Sequence, residues 1–275
     1  MKPPAFDYVR PDTTEEAVAA LAQAGDDARI LAGGQSLVPI LNFRLSEPSI
    51  LVDISRMEGL DYLRADASTL EVGASVTQAR LERWSDLAAR LPLVAKAIPF
   101  IGHYQTRARG TVCGSLAHAD PSSELPLCLA TLGGEVVLRS EAGERRLSAA
   151  EFQTGMLSTA RRDDEMVVSA RFPLNGDGTG TAFTEMAQRR GDFAMVAVTA
   201  IATADTIRFG VGGVADAPEV RQWEMLEGAA LDDALNGFAW DLGGFDDHHA
   251  TARYRRELVR RLGRRVIEEA KSCHS

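Results

Sequence analysis

The first fifty-odd residues alternate between strand-like and helical patterns of hydrophobic and polar positions. Residues 6–11 predict a short strand that ends at a proline. Thr13 and Glu16 have the spacing of a capping box and precede a helical apolar face. The mostly apolar run 49–54 predicts a further strand. The order is therefore β-α-β-α-β, which is typical of a small α/β unit.

The stretch at residues 29–41, called here the first glycine segment, predicts a buried strand, a tight turn and the start of a helix. Gly33 and Gly34 lack a Cβ, so the turn can adopt positive φ and a ligand can approach the backbone. Ser36 is a candidate N-cap, and Pro39 falls in the first helical turn, where a missing N–H is tolerated. The unpaired N–H groups at such a helix start predict an anion-binding site.

Residues 109–121, the second glycine segment, repeat this combination of glycine and small polar residues. Either segment alone is also compatible with an ordinary turn. Together, the two segments favour a ligand with a diphosphate that is held from two sides.

The rest of the chain predicts strands, short helices and a late change of pattern. Residues 175–180 are polar and glycine-rich, which indicates a linker. The last element is a long amphipathic helix over 247–271, whose arginines predict mostly a solvated face, with a partner contact as the alternative. The other predicted strands are 69–74, 134–140, 165–173, 182–186, 195–203 and 206–211, and the other predicted helices are 78–84, 87–98 (interrupted at Pro92) and 125–132.

Composition narrows the functional classes. The chain has 275 residues, of which 45% are hydrophobic and 25% charged, an ordinary globular balance. Its net charge of −9 argues against a general nucleic-acid-binding protein, which is usually basic. No apolar run has the length of a membrane span or a signal peptide, so we expect a cytoplasmic protein. The three cysteines have no CxxC spacing and predict neither a disulfide framework nor a metal or cluster site.

No constellation of residues predicts a self-contained catalytic site. His118 and Asp120 lack further metal ligands and are better candidates for contacts to a ligand. Cys113 is more consistent with a small structural residue than with a reactive thiol. Residues 210–215 formally fit G-x-G-x-x-A, but their place far from the N-terminal βαβ order favours a strand end. A bound cofactor would therefore have to supply any redox chemistry.

The two glycine segments resemble one known family. Residues 32–37 and 109–116, continuing through Asp120 and Pro121 to Glu124, are similar to the FAD-binding medium subunits of molybdenum hydroxylases, the carbon monoxide dehydrogenase and xanthine dehydrogenase family. Weaker similarity is found at residues 189–194 and 247–255.

The resemblance implies an α+β fold. The expected architecture is a two-part FAD-binding domain of the PCMH, or vanillyl-alcohol-oxidase-like, type over residues 1–175, with subdomains 1–57 and 58–175. A smaller C-terminal domain with an antiparallel sheet and helices would follow over residues 176–275.

The resemblance also implies a set of cofactor contacts and no catalytic residue in this chain. Residues 32–36 would hold the FAD pyrophosphate through backbone N–H groups, and residues 111–115 would contact the pyrophosphate and the flavin side. Asp192 and Phe193 would lie near the flavin ring, and Val168 near the isoalloxazine or the adenine. The implied set is Ala32, Gly33, Gly34, Gln35, Ser36, Leu37, Thr111, Cys113, Gly114, Ser115, His118, Asp120, Glu124, Val168, Asp192 and Phe193.

Some positions depart from the family pattern. Gln35 stands where many relatives have histidine, and Cys113 and Ser115 replace the commoner glycine and asparagine. Glu124 falls where relatives often carry an aspartate that meets the cofactor. The first glycine segment has no histidine or cysteine, which fits a non-covalently held flavin.

The function implied by the resemblance is electron transfer. A large subunit with the molybdenum cofactor would hydroxylate the substrate, and a small subunit with [2Fe–2S] clusters would pass electrons to FAD and then to an external acceptor, in a dimer of heterotrimers. Two alternatives remain at this point. One is a free-standing FAD-dependent oxidase or reductase of the same fold, and the other is a non-catalytic nucleotide-binding or assembly protein.

Overall fold

A computed structural model describes residues 2–176 and 178–273. The first elements form a parallel sheet of three strands in the order β1-β3-β2. This arrangement confirms the predicted β-α-β-α-β unit. Its elements are β1 (Asp7–Val9), α1 (Thr14–Ala24), β2 (Ala28–Leu31), α2 (Leu37–Asn42) and β3 (Ile50–Asp53).

Only half of the predicted capping box forms at the N-terminus of α1. Thr13 Oγ1 accepts a hydrogen bond from the Glu16 N–H at 3.2 Å, as expected of an N-cap. The Glu16 carboxylate, however, accepts from the backbone N–H of Asp12 rather than from that of Thr13. Both acceptors still hold backbone donors at the start of the helix.

A five-stranded antiparallel sheet follows, in the order β4-β5-β10-β6-β7, with short helices around it. The predicted strands and the break at Pro92 are confirmed. Most of the second glycine segment is the helix α7. The elements are β4 (Leu63–Ala65), β5 (Thr69–Gly73), α3 (Gln78–Glu82), α4 (Leu87–Arg90), α5 (Pro92–Ala97), α6 (Tyr104–Arg109), α7 (Val112–His118), α8 (Glu124–Leu132), β6 (Glu135–Ser140), β7 (Gly143–Ser148), α9 (Ala149–Phe152), β8 (Gln153–Gly155), β9 (Ser158–Thr159) and β10 (Met166–Pro173).

The last part of the chain is a four-stranded antiparallel sheet, in sequential order, with two helices. The pattern analysis missed the edge strand β14 and the helix α10, because β14 is largely exposed and α10 has no side-chain cap. The elements are β11 (Gly180–Met186), β12 (Val196–Ala202), β13 (Thr206–Gly212), β14 (Glu219–Glu224), α10 (Gly228–Asp241) and α11 (Ala252–Ser272).

The C-terminal helix begins later than predicted. Helix α11 starts at Ala252, five residues after the expected start at Asp247. The Asp247 carboxylate accepts the backbone N–H groups of His249 and Ala250, which holds this stretch in a turn. Thr251 is the N-cap and accepts from the N–H of Tyr254.

One arginine of α11 is buried, which corrects the expectation of a solvated face at that position. Arg255 is 2% exposed. It donates to the carbonyl oxygens of Met195 and Gly213 at 2.5 and 2.7 Å, and to the Asp247 carboxylate at 2.6 Å. The guanidinium has several donors in one plane and so joins three separate segments of chain.

The four-stranded sheet is covered on both faces. One face packs against α10 and α11 in a hydrophobic cluster. The other face packs against α8, where the hydroxyls of Thr131 and Thr199 lie 2.7 Å apart. A Cβ on Gly210 would lie 2.2 Å from Thr131 Oγ1 and 2.5 Å from Thr199 Oγ1, so this position has no room for a side chain.

This packing predicts that Gly210→Ala lowers the free energy of unfolding by about 1–3 kcal/mol, because overpacking forces α8 away from the sheet. Urea unfolding followed by circular dichroism measures the change. The matched control is Gly237→Ala in α10, where a Cβ would meet no atom within 4 Å. The control should be neutral or stabilising, by up to ~1 kcal/mol from helix propensity. Equal stabilities for the two variants would contradict the packing argument.

Candidate functional site

The two glycine segments meet at their backbones. A Cβ on Gly33 would lie 2.1 Å from the carbonyl oxygen of Arg109 and 2.8 Å from the Cα of Gly110. A Cβ on Gly114 would lie 2.6 Å from Thr111 Oγ1 and 4.0 Å from the Cβ of Ala32. The structure thus brings together the segments that sequence reasoning paired, and only glycine permits their closest contact.

The turn of the first glycine segment uses both of its glycines. Gly34 has φ +71°, a conformation that glycine adopts without strain. The Gln35 side chain donates to the carbonyl oxygen of Gly33 at 3.1 Å. Ser36 has helical backbone angles and makes no side-chain cap bond, so the expectation of Ser36 as a capping side chain is wrong. Leu37 begins α2 and is partly exposed.

Backbone donors of this turn are available to a ligand. Among the described residues, no protein acceptor pairs with the backbone N–H groups of Gly33, Gly34, Gln35 and Ser36. Further along the segment, the N–H of Val38 donates to the carbonyl oxygen of Gly34. A turn with consecutive unpaired N–H groups is a concave site for an anion such as a phosphate.

The second glycine segment turns into α7 through a capping threonine. Thr111 Oγ1 accepts from the N–H of Gly114 at 3.0 Å, and the carbonyl oxygen of Thr111 accepts from the N–H of Ser115. The Cys113 side chain is buried and its Sγ lies 3.5 Å from the carbonyl oxygen of Val72. Burial raises the pKa of the Cys113 thiol to about 12, so the thiol is protonated and unreactive at neutral pH. Its side chain faces the core, which leaves only its backbone for a ligand.

The end of α7 carries His118 and Asp120. Burial lowers the pKa of His118 below its usual range, and the nearby Asp120 carboxylate opposes this effect. Asp120 Oδ1 accepts from the N–H of Ser122 at 2.9 Å. The intervening Ala119 is left-handed, with φ +52°, and ends the helix. His118 is therefore mostly neutral at pH 7 and can donate or accept one hydrogen bond.

Glu124 is the most buried acidic residue of the expected set. It begins α8 and is 4% exposed. Burial raises its pKa to about 7. Sequence reasoning missed Glu185 on β11, whose pKa is raised to about 8 by burial and by repulsion from Glu124. The sequence did offer one signal: Glu185 comes two residues after Phe183 in the same strand. Because alternate residues of a strand point to the same face, this spacing puts the carboxyl on an inward face.

Asp192 and Phe193 lie on a turn between β11 and β12. The Asp192 carboxylate pairs with Arg189 at 3.2 Å, and Phe193 is 58% exposed. Gly191, with φ +88°, packs against the loop that precedes α6, because a Cβ there would lie 3.0 Å from both Gly102 O and His103 Cε1. The turn thus stands beside the chain that leads into the second glycine segment.

Val168 lies further along the five-stranded sheet. Its carbonyl oxygen accepts from the N–H of Ala74, and the carbonyl oxygen of Val76 accepts from the N–H of Val112. Residues 74–76 thus link β10 to the second glycine segment through these two backbone hydrogen bonds. Val168 is one of the residues that line a polar cavity of about 240 Å³, together with Tyr62 and Glu71.

The described site residues can bind and orient a ligand, but they contain no nucleophile with an adjacent base. Among residues 2–176 and 178–273, no group of three or more His, Cys, Asp or Glu side chains could hold a metal ion. No helix in this part of the chain is long and apolar enough to cross a membrane. The geometry supports binding of an anionic, extended ligand across the two glycine segments.

Comparison with known proteins identifies the family. Residues 4–175 match the model of the FAD binding domain in molybdopterin dehydrogenase. The chain is 37% identical to the 6-hydroxypseudooxynicotine dehydrogenase complex subunit alpha of Paenarthrobacter nicotinovorans, over 98% of this chain and 96% of the relative. It is 32% identical to the carbon monoxide dehydrogenase medium chain of Afipia carboxidovorans, over 99% of each.

The fold agrees with these relatives. A crystal structure of the Cu,Mo-CO dehydrogenase in a cyanide-inactivated form matches with a TM-score of 0.95 and 31% identity, covering 100% of both chains. The expected α+β architecture is confirmed by this match and by the mixture of helices and antiparallel sheets. The chain therefore belongs to the family of FAD-binding medium subunits of molybdenum hydroxylases, which are oxidoreductases.

Proposed function

We propose that this chain holds FAD non-covalently across the two glycine segments and passes electrons from [2Fe–2S] clusters of a small partner subunit to an external acceptor. A large partner subunit would carry the molybdenum cofactor and act on the substrate. The proposed assembly is a dimer of such heterotrimers in the cytoplasm. FAD, when bound, supplies redox chemistry that the side chains of this chain lack.

The observation that carries the proposal is the contact between Gly33 and the carbonyl oxygen of Arg109. It brings the unpaired N–H groups of residues 33–36 beside Thr111 and Gly114. A diphosphate needs several donors from more than one direction, and these two segments offer them. In the proposal, residues 32–37 and 111–115 hold the diphosphate.

The remaining expected contacts would surround the rest of the cofactor. The turn with Asp192 and Phe193 offers an exposed aromatic ring and a carboxylate next to the loop at Gly102 and His103. We propose this turn as the flavin side, with Phe193 covering the ring. His118, Asp120 and Glu124 would contact the polar middle of the cofactor, and Val168 its isoalloxazine or adenine.

The distribution of the sheets along the chain supports the proposed division into domains. In the proposal, the subdomains 1–57 and 58–175 form the FAD-binding domain, and residues 176–275 form a C-terminal domain. The three-stranded, five-stranded and four-stranded sheets fall within these three ranges. The proposed site would then draw residues from all three.

The first experiment purifies the chain from its native host without a tag and records the visible spectrum and the metal content of the same sample. We expect flavin absorbance together with molybdenum, iron and two companion chains. Flavin in an active chain without companions would instead indicate a free-standing oxidase or reductase. A chain that takes up no FAD would contradict both flavoprotein functions.

The second prediction concerns the contact between the segments. Gly33→Val should abolish FAD retention, with a loss of affinity well beyond tenfold (more than ~1.4 kcal/mol), because its side chain pushes the second segment away. Flavin fluorescence during titration of the flavin-free protein measures the affinity.

The control for this variant is Gly59→Val, because a Cβ on Gly59 would meet no atom within 4 Å. Both variants are first compared with the parent by circular dichroism and thermal unfolding. A folded Gly33→Val chain that retains one FAD per chain would overturn the assignment of this turn to the cofactor.

A further inference from the structure

The guanidinium of Arg255 lies at the base of the turn of residues 187–195, which carries Phe193. Its Nη1 donates to the carbonyl oxygen of Met195, two residues after Phe193, at 2.5 Å. The backbone N–H of Met195 donates to the carbonyl oxygen of Met186 at 2.8 Å, which closes the turn between β11 and β12. Arg255 therefore holds the chain at the point where this turn ends.

The same guanidinium nitrogen connects the turn to the second glycine segment. Arg255 Nη1 also donates to the carbonyl oxygen of Gly213 at 2.7 Å. The backbone N–H of Gly213 donates to the carbonyl oxygen of Pro121, the last residue of that segment, at 2.8 Å. A Cβ on Gly213 would lie 2.8 Å from the carbonyl oxygen of Met195 and 3.0 Å from that of Ala194. Gly213 thus lies between the turn and the end of the second glycine segment.

The other contacts of Arg255 fix the plane of its guanidinium. The residue is 2% exposed, and its Nη2 donates to the Asp247 carboxylate at 2.6 Å. Its Cζ lies 4.2 Å from the centroid of the Phe245 ring. The Asp247 carboxylate also accepts the backbone N–H groups of His249 and Ala250. A planar guanidinium held in this way is already oriented for the two carbonyl oxygens that it binds.

The tip of the turn is held by weaker contacts than its base. Gly191 packs on the loop that precedes α6. Arg189 pairs with Asp192, but the Arg189 side chain is 82% exposed, and an exposed ion pair does little to fix a backbone. Arg255 is buried, so water competes less with its hydrogen bonds. The position of the turn therefore depends mainly on the contacts at its base.

We propose that Arg255 is a positioning residue for the flavin, through the turn of residues 187–195. The inference rests on the proposed function, in which Phe193 of this turn covers the flavin ring. Because Arg255 binds the carbonyl oxygens of Met195 and Gly213 together, it sets the distance between the turn and the second glycine segment. That distance is the width of the space for the ring.

The diphosphate end of the proposed site is held by a different contact, that of Gly33 with the carbonyl oxygen of Arg109. Within the described chain, no hydrogen bond of the Arg255 side chain goes to residues 33–36 or 111–115. Loss of the guanidinium should therefore weaken binding of the flavin and spare binding of the diphosphate. ADP has the adenine and the diphosphate of FAD but no flavin, so it separates the two effects.

The first measurement compares the affinities for FAD and ADP by calorimetry on the flavin-free full chain. Arg255→Met keeps a long side chain and removes its donors. It should lower the affinity for FAD about tenfold and leave that for ADP within about twofold. The matched control is Arg256→Met, because Arg256 also donates to a backbone carbonyl oxygen, that of Gly243, and lies 4.4 Å from the Trp240 ring centroid. The control should keep both affinities.

Two further variants change the same contact. Gly213→Ala keeps Arg255 but presses on the carbonyl oxygens of Met195 and Ala194, so it should give the same selective loss of FAD affinity. Arg255→Lys keeps a cation with a donor and should recover part of the FAD affinity. If Arg255→Met fails to fold, these two variants give the comparison. Equal losses for FAD and ADP would show a general loss of structure and overturn the positioning role, as would unchanged FAD affinity.

Hydrogen exchange of the flavin-free chain tests the positioning without any cofactor. The amides of Asp192 and Met195 are hydrogen-bonded within the turn and report its order. In Arg255→Met they should exchange about tenfold faster than in the parent chain, whereas the amides of α7 should keep the parent rate. Exchange at the parent rate in the turn would overturn the positioning role. A parent chain that binds neither FAD nor ADP would contradict the proposed function alone, because the exchange is read without ligand.

Discussion

The close approach of two backbones, Gly33 and Arg109, is the constraint on which the site depends. It leaves no volume for a Cβ on Gly33, so the first strand–turn–helix unit can dock against the second glycine segment only with glycine there. The parallel three-stranded sheet supplies the rigid support for this turn, since β2 leads straight into it. The backbone N–H donors of residues 33–36 have no acceptor among the described residues, and that property suits an anionic cofactor.

Helix α8 connects this site to the C-terminal sheet. Its hydroxyl contact at Thr131 and Thr199 is satisfied on both sides, and Arg255 satisfies the carbonyl oxygens of Met195 and Gly213 in the same region. Buried polar groups of this kind cost little once each has its partner. Glu185 differs, because within the described residues its buried Oε2 has no hydrogen-bond partner.

Local pattern predicted much of the fold because hydrophobic periodicity and turn residues act over short distances. The N-terminal β-α-β-α-β order, the break at Pro92 and the strand that ends at the glycines of residues 210–213 were all confirmed by the structure. The errors have local causes as well. Ser36 has a side chain suited to an N-cap but helical backbone angles, and Asp247 uses its carboxylate to form a turn that delays α11.

The sequence by itself determined the family, the fold class and the two glycine segments, because those depend on short motifs whose residue types are dictated by backbone geometry. Only the tertiary structure decided which polar residues are buried and what they meet. Arg255 belongs to an arginine-rich helix, and on β11 the alternation with Phe183 indicates the inward face of Glu185 but not how far its carboxyl is desolvated. Burial and electrostatic repulsion between residues 61 positions apart arise from packing of α8 on the sheet, and no local pattern encodes that distance.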